Sequence, residues 1–307
     1  MKVPRLREPY PAGRRAFLRL GCNLFSAGVT TAVLGPLYAW RIEPGWIQVT
    51  RPKITLQKLP AALEGFSIVQ ISDFHLGPDV KIEHVRHAVA LANGMHPDLI
   101  ALTGDYVSES ADYIAPCAGE LALLQARYGV YAVLGNRDQL TDADRVAYGL
   151  SEAGIVVLRD EARAISIGDI RLWLVGLDDT GYTAFNGHLP GRARGPWQEK
   201  VAILAELLAR IPDTEPRLLL IHNPDLNELF QGMHLDLALC GHTHGGQVRL
   251  PLVGALFVPS LFGRKYADGL VQGPASPVYV NRGLGVVPPP VRLNCRPEIT
   301  LMRLSKG

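Results

Sequence analysis

Residues 66–75 read Phe-Ser-Ile-Val-Gln-Ile-Ser-Asp-Phe-His, a short apolar run that stops on two chemically active side chains, Asp73 and His75. A run of this length, rich in β-branched residues and closed by a polar break, reads as a buried strand rather than a helix. The pattern recurs twice. Leu99–Leu102 ends in Thr103-Gly104-Asp105, and Val130–Leu134 ends in Gly135-Asn136-Arg137-Asp138. Helical patterns over 83–94 and 116–127 fill the gaps. Asp73, Asp105 and Asn136 therefore recur roughly every 30 residues, the length of one βαβ unit. Strand-helix alternation predicts an α/β domain with parallel strands, and such sheets collect ligands beyond the carboxyl ends of their strands.

Further strands are expected over Ile155–Leu158, Ile170–Val175, Leu218–Ile221 and Leu235–Leu239, and helices over 142–152, 197–210 and 225–231. Two of these strands also end in ligand-type residues, His222-Asn223 and Cys240-Gly241-His242-Thr243-His244. Each cluster alone has an ordinary explanation. Asp73 or Asp105 could cap a helix, His222 could be a satisfied core histidine, and Asn136-Arg137-Asp138 could be a turn. Five such clusters at five strand ends are not explained that way. His242 and His244 alternate, so an extended backbone would point both imidazoles to one side. Gly241, Gly245 and Gly246 leave room for close backbone approach, and Cys240 reads as strand packing.

The chain has 307 residues, 48% hydrophobic and 20% charged, with a net charge of +2. This excludes the disordered and fibrous classes. Cys22, Cys117, Cys240 and Cys295 are too few and too scattered for a disulfide framework or a zinc knuckle. The first 20 residues hold six bases and one acid, leaving 25 bases against 28 acids in the rest. A body this acidic argues against general nucleic-acid binding. After the basic n-region (1–19) comes an uncharged segment, 20–40, about long enough to span a bilayer. Preceding bases and the late Tyr38 and Trp40 predict a single-pass anchor or signal helix, with residues 45–305 forming an extracytoplasmic catalytic domain at the cell membrane. Gly13-Arg-Arg-Ala-Phe-Leu-Arg19 resembles a twin-arginine export signal, implying that machinery as a partner. No clear cleavage site follows, so an anchor is expected rather than release.

The ordered set Asp-x-His, Gly-Asp, Gly-Asn-x-Asp, lone His and Gly-His-x-His resembles the calcineurin-like metallophosphoesterase superfamily over residues 45–305. Gly176-Leu-Asp-Asp179, Gly241–Gln247, Asn281-Arg-Gly-Leu-Gly285 and Pro297-Glu298 look like its membrane-associated or exported bacterial branch. The resemblance implies two packed β-sheets flanked by helices, a four-layer sandwich, around a dinuclear metal centre. By that likeness Asp73, His75 and His244 hold one ion, Asn136, His222 and His242 hold the other, and Asp105 bridges them. Mixed imidazole and carboxylate ligands suit Mn, Fe or Zn rather than a calcium cage. No organic cofactor is implied. Water activated between the ions would attack a phosphodiester or pyrophosphate bond, so no serine or cysteine nucleophile is needed.

Asp105, Asn136, Arg137 and Asp138 are the expected catalytic residues, and one of them departs from the family. Gly135-Asn136-Arg137-Asp138 stands where many members have Gly-Asn-His-Asp. A guanidinium stabilises phosphate charge but is a poor proton donor, which favours leaving groups that need no proton. UDP-2,3-diacylglucosamine hydrolases of lipid A synthesis share this variant and are the alternative reading. A non-catalytic metal- or phosphate-binding envelope protein is another. The expected substrate is a phosphorylated lipid or small phosphoester. Finally, residues 250–262 are uncharged throughout and are followed by Arg264 and Lys265. They read either as short strands around a turn or as a hydrophobic lip at a membrane.

Overall fold

Every residue of β3 (Ser67–Ile71), β4 (Leu99–Thr103) and β5 (Val130–Val133) is buried, which requires cover on both faces of their sheet. The computed structural model, describing residues 34–57, 59–181 and 194–307, shows what supplies it. Two sheets stack face to face. Along β4, Leu99 and Ala101 join the core between the sheets, whereas Ile100 and Leu102 face an outer core. That outer core holds helices α1 (Ile82–Asn93), α2 (Ile114–Leu121) and α3 (Asn136–Glu152).

The second sheet repeats the alternation. In β9 (Arg217–Ile221), Leu218 and Leu220 face inward, while Leu219 and Ile221 pack outward with Leu204 and Leu208 of α4 (Arg194–Ala209). Helices thus cover both outer faces, as the family likeness implied.

Both sheets are mixed. Among the described residues the first contains β1 (Gln48–Thr50), β2 (Lys53–Leu56), β3, β4, β5, β6 (Val156–Val157) and β15 (Glu298–Lys306). β3 to β6 run parallel in sequential order, and β15 pairs antiparallel with β3 and parallel with β1 and β2. The second contains β7 (Glu161–Ile167), β8 (Ile170–Leu177), β9, β10 (Leu237–Cys240), β13 (Gly269–Gln272) and β14 (Pro277–Val280). Here β8, β9, β10 and β14 are parallel, with antiparallel β7 and β13 at the edges. β11 (Arg249–Leu250) and β12 (Gly254–Ala255) form a separate small hairpin.

The expected parallel strands are present, although the ligand-bearing ends come from two sheets rather than one. The sequence reading missed β1, β2, β7 and β13, which are short, half-exposed or alternating. It also missed the mostly buried β14 and the nine-residue β15, whose apolar positions are interrupted by Glu298, Thr300, Arg303, Ser305 and Lys306. The helix expected over 142–152 is present: the helical stretch Asn136–Glu152 breaks at Asp142 (φ −177°, ψ 87°), whose Oδ1 accepts the Arg145 N–H at 3.1 Å. The part before the break is a short helix that the sequence reading missed, capped at Gly135 with Asp138 closing its first turn onto the Gly135 N–H at 2.9 Å. The segment expected as a helix at 225–231 is a 3-10 helix, Pro224–Leu229. Residues 34–41 are helical, and among the described residues no helix is long and apolar enough to cross a membrane. Residues 20–33 and the twin-arginine-like motif lie outside the described residues.

Leu220 sits in the middle of the inter-sheet core, fully buried. Leu220→Ala should lower the unfolding free energy by about 2–5 kcal/mol, read by urea denaturation. A loss below 0.5 kcal/mol would mean the sheets do not meet there.

Candidate metal centre

Strands β3 and β4 each hand the chain to a sharp turn at the same edge. Asp73, His75 and Asp105 follow β3 and β4 in the left-handed backbone region, with φ of 52°, 49° and 58°. After β10, His242 and His244 do the same at 72° and 51°. Each such non-glycine residue costs on the order of 1 kcal/mol. The turns aim successive side chains into one point instead of alternating faces. The two histidines of the Gly-His-x-His motif therefore do not converge through an extended backbone. They turn individually, and they meet different partners.

His244 Nε2 lies 3.0 Å from His75 Nε2 and 3.3 Å from Asp73 Oδ1. His222 Nε2 lies 3.3 Å from Asp105 Oδ2 and 3.9 Å from Asp73 Oδ1. Two groups result, Asp73/His75/His244 and Asp73/Asp105/His222, with their ligand atoms within 4.8 Å of one another. Asp105 Oδ2 also lies 3.5 Å from His75 Nε2, so both carboxylates sit between the groups. His242 stacks edge-on to His222 with ring centroids 5.2 Å apart, and its Nδ1 meets Asn136 Oδ1 at 2.8 Å. All seven residues expected as ligands are thus brought together.

The donor set fits a dinuclear divalent metal centre. His222 Nε2 and His242 Nε2 are buried without a hydrogen-bond partner. His222 Nδ1 donates to the Thr103 carbonyl at 2.6 Å, which leaves its Nε2 as the lone-pair donor. His75 Nδ1 is fixed by Ser108 Oγ at 2.8 Å. Burial resists charge on Asp73, yet His244, His75 and His222 hold it well below the usual carboxylate range. Burial likewise opposes ionisation of Asp105, and His222 overrides it, bringing the pKa to about 2. Burial lowers His242 to about 3 and His244 to about 4, so both imidazoles are neutral, as ligands must be. Against its own burial, His222 is raised well above its ordinary value by Asp105. A proton there stands where a metal ion's charge belongs.

The four residues expected to be catalytic divide. Asp105 and Asn136 are in the cluster. Arg137 is exposed beside it, its backbone N–H donating to Asp105 Oδ1 at 2.8 Å. Asp138 is turned away. Its carboxylate accepts the N–H groups of Asp105 (2.8 Å), Tyr106 (2.9 Å) and Gly135 (2.9 Å). Burial and the nearby Asp105 push its pKa to about 8 against those three donors. It positions Asp105 and cannot reach a substrate, because burial and backbone hydrogen bonds occupy both oxygens. At Gly135 a Cβ would collide with the Asp105 carboxylate, and at Gly241 with Ser72 Oγ, so only glycine lets these turns approach.

Sequence reasoning missed Arg292. Its fully buried guanidinium donates to the carbonyls of Gly285 (2.6 Å), Arg282 (2.9 Å) and Cys295 (3.0 Å) and reaches within 3.5 Å of His244 Nδ1. The loop it braces, Asn281–Gly285, lies against Asp73, with the Gly285 N–H donating to the Asp73 carbonyl at 2.6 Å. Glu298 holds the other side of this loop through the Arg282 N–H at 3.1 Å. An isolated arginine in Val291-Arg292-Leu293 carries no motif signal, whereas Asn281–Gly285 and Glu298 do. Asp179, in the other quoted motif, caps the Gly181 N–H at 2.8 Å, and burial raises it to about 6. Cys240 packs in the outer core, as expected of it.

Stacked βαβ sheets with a histidine and carboxylate cluster across their shared edge define a dinuclear metal-dependent hydrolase. The chain belongs to the calcineurin-like phosphoesterases, whose family model matches residues 66–246. An uncharacterized metallophosphoesterase of Bacillus subtilis, YkuE, is 32% identical, the match covering 95% of this chain and 97% of the relative. Phosphodiesterase YaeI of Escherichia coli is 33% identical, covering 95% and 98%. The UDP-2,3-diacylglucosamine pyrophosphatase LpxG of Chlamydia trachomatis is 29% identical, covering 91% and 96%. This chain is accordingly a metal-dependent phosphoester hydrolase.

Asp105→Ala should abolish binding of both metals, read as metal content per chain by elemental analysis, while circular dichroism stays native. Asp138→Ala should behave differently, lowering stability by on the order of 2–3 kcal/mol as three buried N–H groups lose their acceptor. Two metals retained by the Asp105 variant would refute the shared-carboxylate arrangement.

Proposed function

We propose that this enzyme cleaves a phosphodiester or pyrophosphate bond in a lipid-linked substrate at the cell envelope. The observation that carries the reading is a cavity of about 640 Å³ opening directly on Asp105, Asn136, His242 and His244. Its far walls are apolar, built by Leu140, Val248, Leu256, Phe257, Val291 and the Val287–Pro289 segment. A small soluble phosphate ester has no use for such walls. An acyl or prenyl chain does.

Asp73, His75, Asp105, His222 and His244, with Asn136 and His242, would hold the two ions. Bound there, two divalent ions supply Lewis acidity to phosphoryl oxygens and bring the pKa of water between them toward neutrality. Arg137 lines both this cavity and a smaller one beside His75 and Ser108, so its guanidinium meets phosphate from between them. The other polar side chains in the larger cavity are committed. Thr243 Oγ1 donates to the Ala267 carbonyl at 2.8 Å, and Gln247 Nε2 to the Val287 carbonyl at 3.0 Å. Among the described residues no uncommitted acid lines it to protonate an alkoxide, which favours a leaving group that is itself a phosphate or nucleotide. The pyrophosphatase named among the relatives, and the Gly-Asn-Arg-Asp variant, support a nucleotide-linked lipid as the specific form of this reading.

A panel of bis-p-nitrophenyl phosphate, p-nitrophenyl phosphate and nucleotide-linked lipids, run with manganese, tests the proposal. Leu256→Ser with Phe257→Ser should raise KM for the lipid substrate about tenfold or more, on the loss of two apolar contacts. The rate on the soluble diester should barely change. Equal losses on both would remove the lipid-site reading.

The basic n-region and the uncharged run after it support an anchored domain facing out of the cytoplasm. A reporter fused after Gly307 should be extracytoplasmic, and Arg14→Lys with Arg15→Lys should block its export. Protease that never reaches the domain in spheroplasts would overturn this placement.

A further inference from the structure

The apolar walls of the cavity continue onto the outside of the molecule. β11 and β12 form a hairpin whose tip, Leu252 and Val253, is exposed, and neither residue lines the cavity. Downstream of the cavity wall, Leu261 and Phe262 are exposed as well. The same rim carries the N-terminal segment. Arg292 N–H donates to the Ala39 carbonyl at 2.8 Å, and the buried Glu43 accepts the N–H groups of Asn294 and Cys295. Residues 292–295 in turn bind the base of the hairpin, Arg249 N–H to the Leu293 carbonyl at 2.8 Å and Asn294 Nδ2 to the Arg249 carbonyl at 3.0 Å. One strip of chain thus joins the hairpin to residues 34–46, where Leu34, Leu37, Trp40, Ile42 and Trp46 are exposed.

Among the described residues, the charge left outside ion pairs on this rim is basic. Residues 249–267 contain no acid and three bases. Glu43 is used internally, Glu228 pairs with Lys265, and Asp268 pairs with Arg249. Arg41 lies over the Trp40 ring at 3.9 Å and Arg296 over Trp46 at 4.3 Å. Arg264 stands exposed beside the hairpin. Aromatic rings with guanidinium groups at the edge of an apolar patch match the boundary between acyl chains and anionic head groups. The uncharged residues 20–33 run directly into Leu34, so the rim is also where the membrane segment expected from the sequence joins the domain.

We infer that this rim, with the hairpin tip Leu252-Val253 at its crest and Trp40 and Trp46 on its flank, docks on the surface of an anionic bilayer and holds the cavity mouth against it. A lipid-linked phosphate then enters the cavity by sliding laterally, with its chain never crossing water. This rests on the lipid-substrate reading for its purpose, but docking itself is independent of which substrate is cleaved.

The test uses the full chain in proteoliposomes. Leu252→Cys, in a Cys22→Ser background, takes an environment-sensitive fluorophore. Leu123→Cys is the control, since the exposed Leu123 follows α2 on its return to the opposite edge of the sheet. The Leu252 probe should shift to the blue and be quenched by doxyl lipids, more strongly with phosphatidylglycerol than with phosphatidylcholine alone, while the Leu123 probe stays in water. Leu252→Asp with Val253→Asp should lower turnover of a vesicle-borne substrate about tenfold or more and leave the soluble diester rate unchanged. A Leu252 probe as wet as the control in both vesicle types overturns the docking surface, while activity on lipids in detergent leaves the substrate reading standing. A blue shift that follows protein concentration rather than lipid places a second copy of the chain there instead, and also overturns it.

Discussion

Two carboxylates, Asp73 and Asp105, are almost completely buried within a few ångströms of each other and of three imidazoles. Anions in such a position are unfavourable unless positive charge accompanies them. The rest of the edge is built around that requirement. Left-handed turns crowd the ligands inward, glycines at 104, 135 and 241 let backbones touch, and Asp138 anchors the Asp105 turn through three N–H groups. A metal pair resolves the electrostatics that the protein alone leaves poised between carboxylate and imidazolium.

The surrounding scaffold tolerates this strain because it is over-determined. β15 pairs with β1, β2 and β3, tying the end of the domain to its beginning beside the site. Glu298, the first residue of β15, accepts from Tyr279 Oη at 2.9 Å and from the Arg282 N–H, and so joins both sheets to the Asn281–Gly285 loop. Arg292 is the second brace of that loop. Its buried cation is balanced by a ring of carbonyl oxygens rather than by an acid, which keeps it from competing for Asp73.

Chemistry and recognition are carried by different halves of one cavity. The polar floor comes from strand ends, where the sheets fix positions closely. The apolar wall comes largely from the hairpin region and the Val287–Pro289 segment, outside the two stacked sheets. Changing the wall can alter which molecule is bound without disturbing the metal ligands.

The sequence by itself marked the strands and the polar clusters at their ends, because a buried parallel strand is a continuous apolar run and its end is marked by the polar residue that must leave the core; the assignment of those residues as ligands came from the family resemblance. It also marked residues 250–262 as unusual, offering both a turn between strands and an apolar lip; the structure contains the short hairpin and the exposed side chains together. Only the tertiary structure decided that the five clusters belong to two sheets, that His242 and His244 are aimed by separate left-handed turns rather than by an extended backbone, and that Asp138 supports rather than reacts. Each of these depends on a backbone turn or a distance between strands remote in sequence. Arg292 shows the same limit. Nothing local distinguishes a buried arginine from a solvated one; its role exists only where chain remote in sequence, at Ala39, His244 and Arg282–Gly285, closes around it.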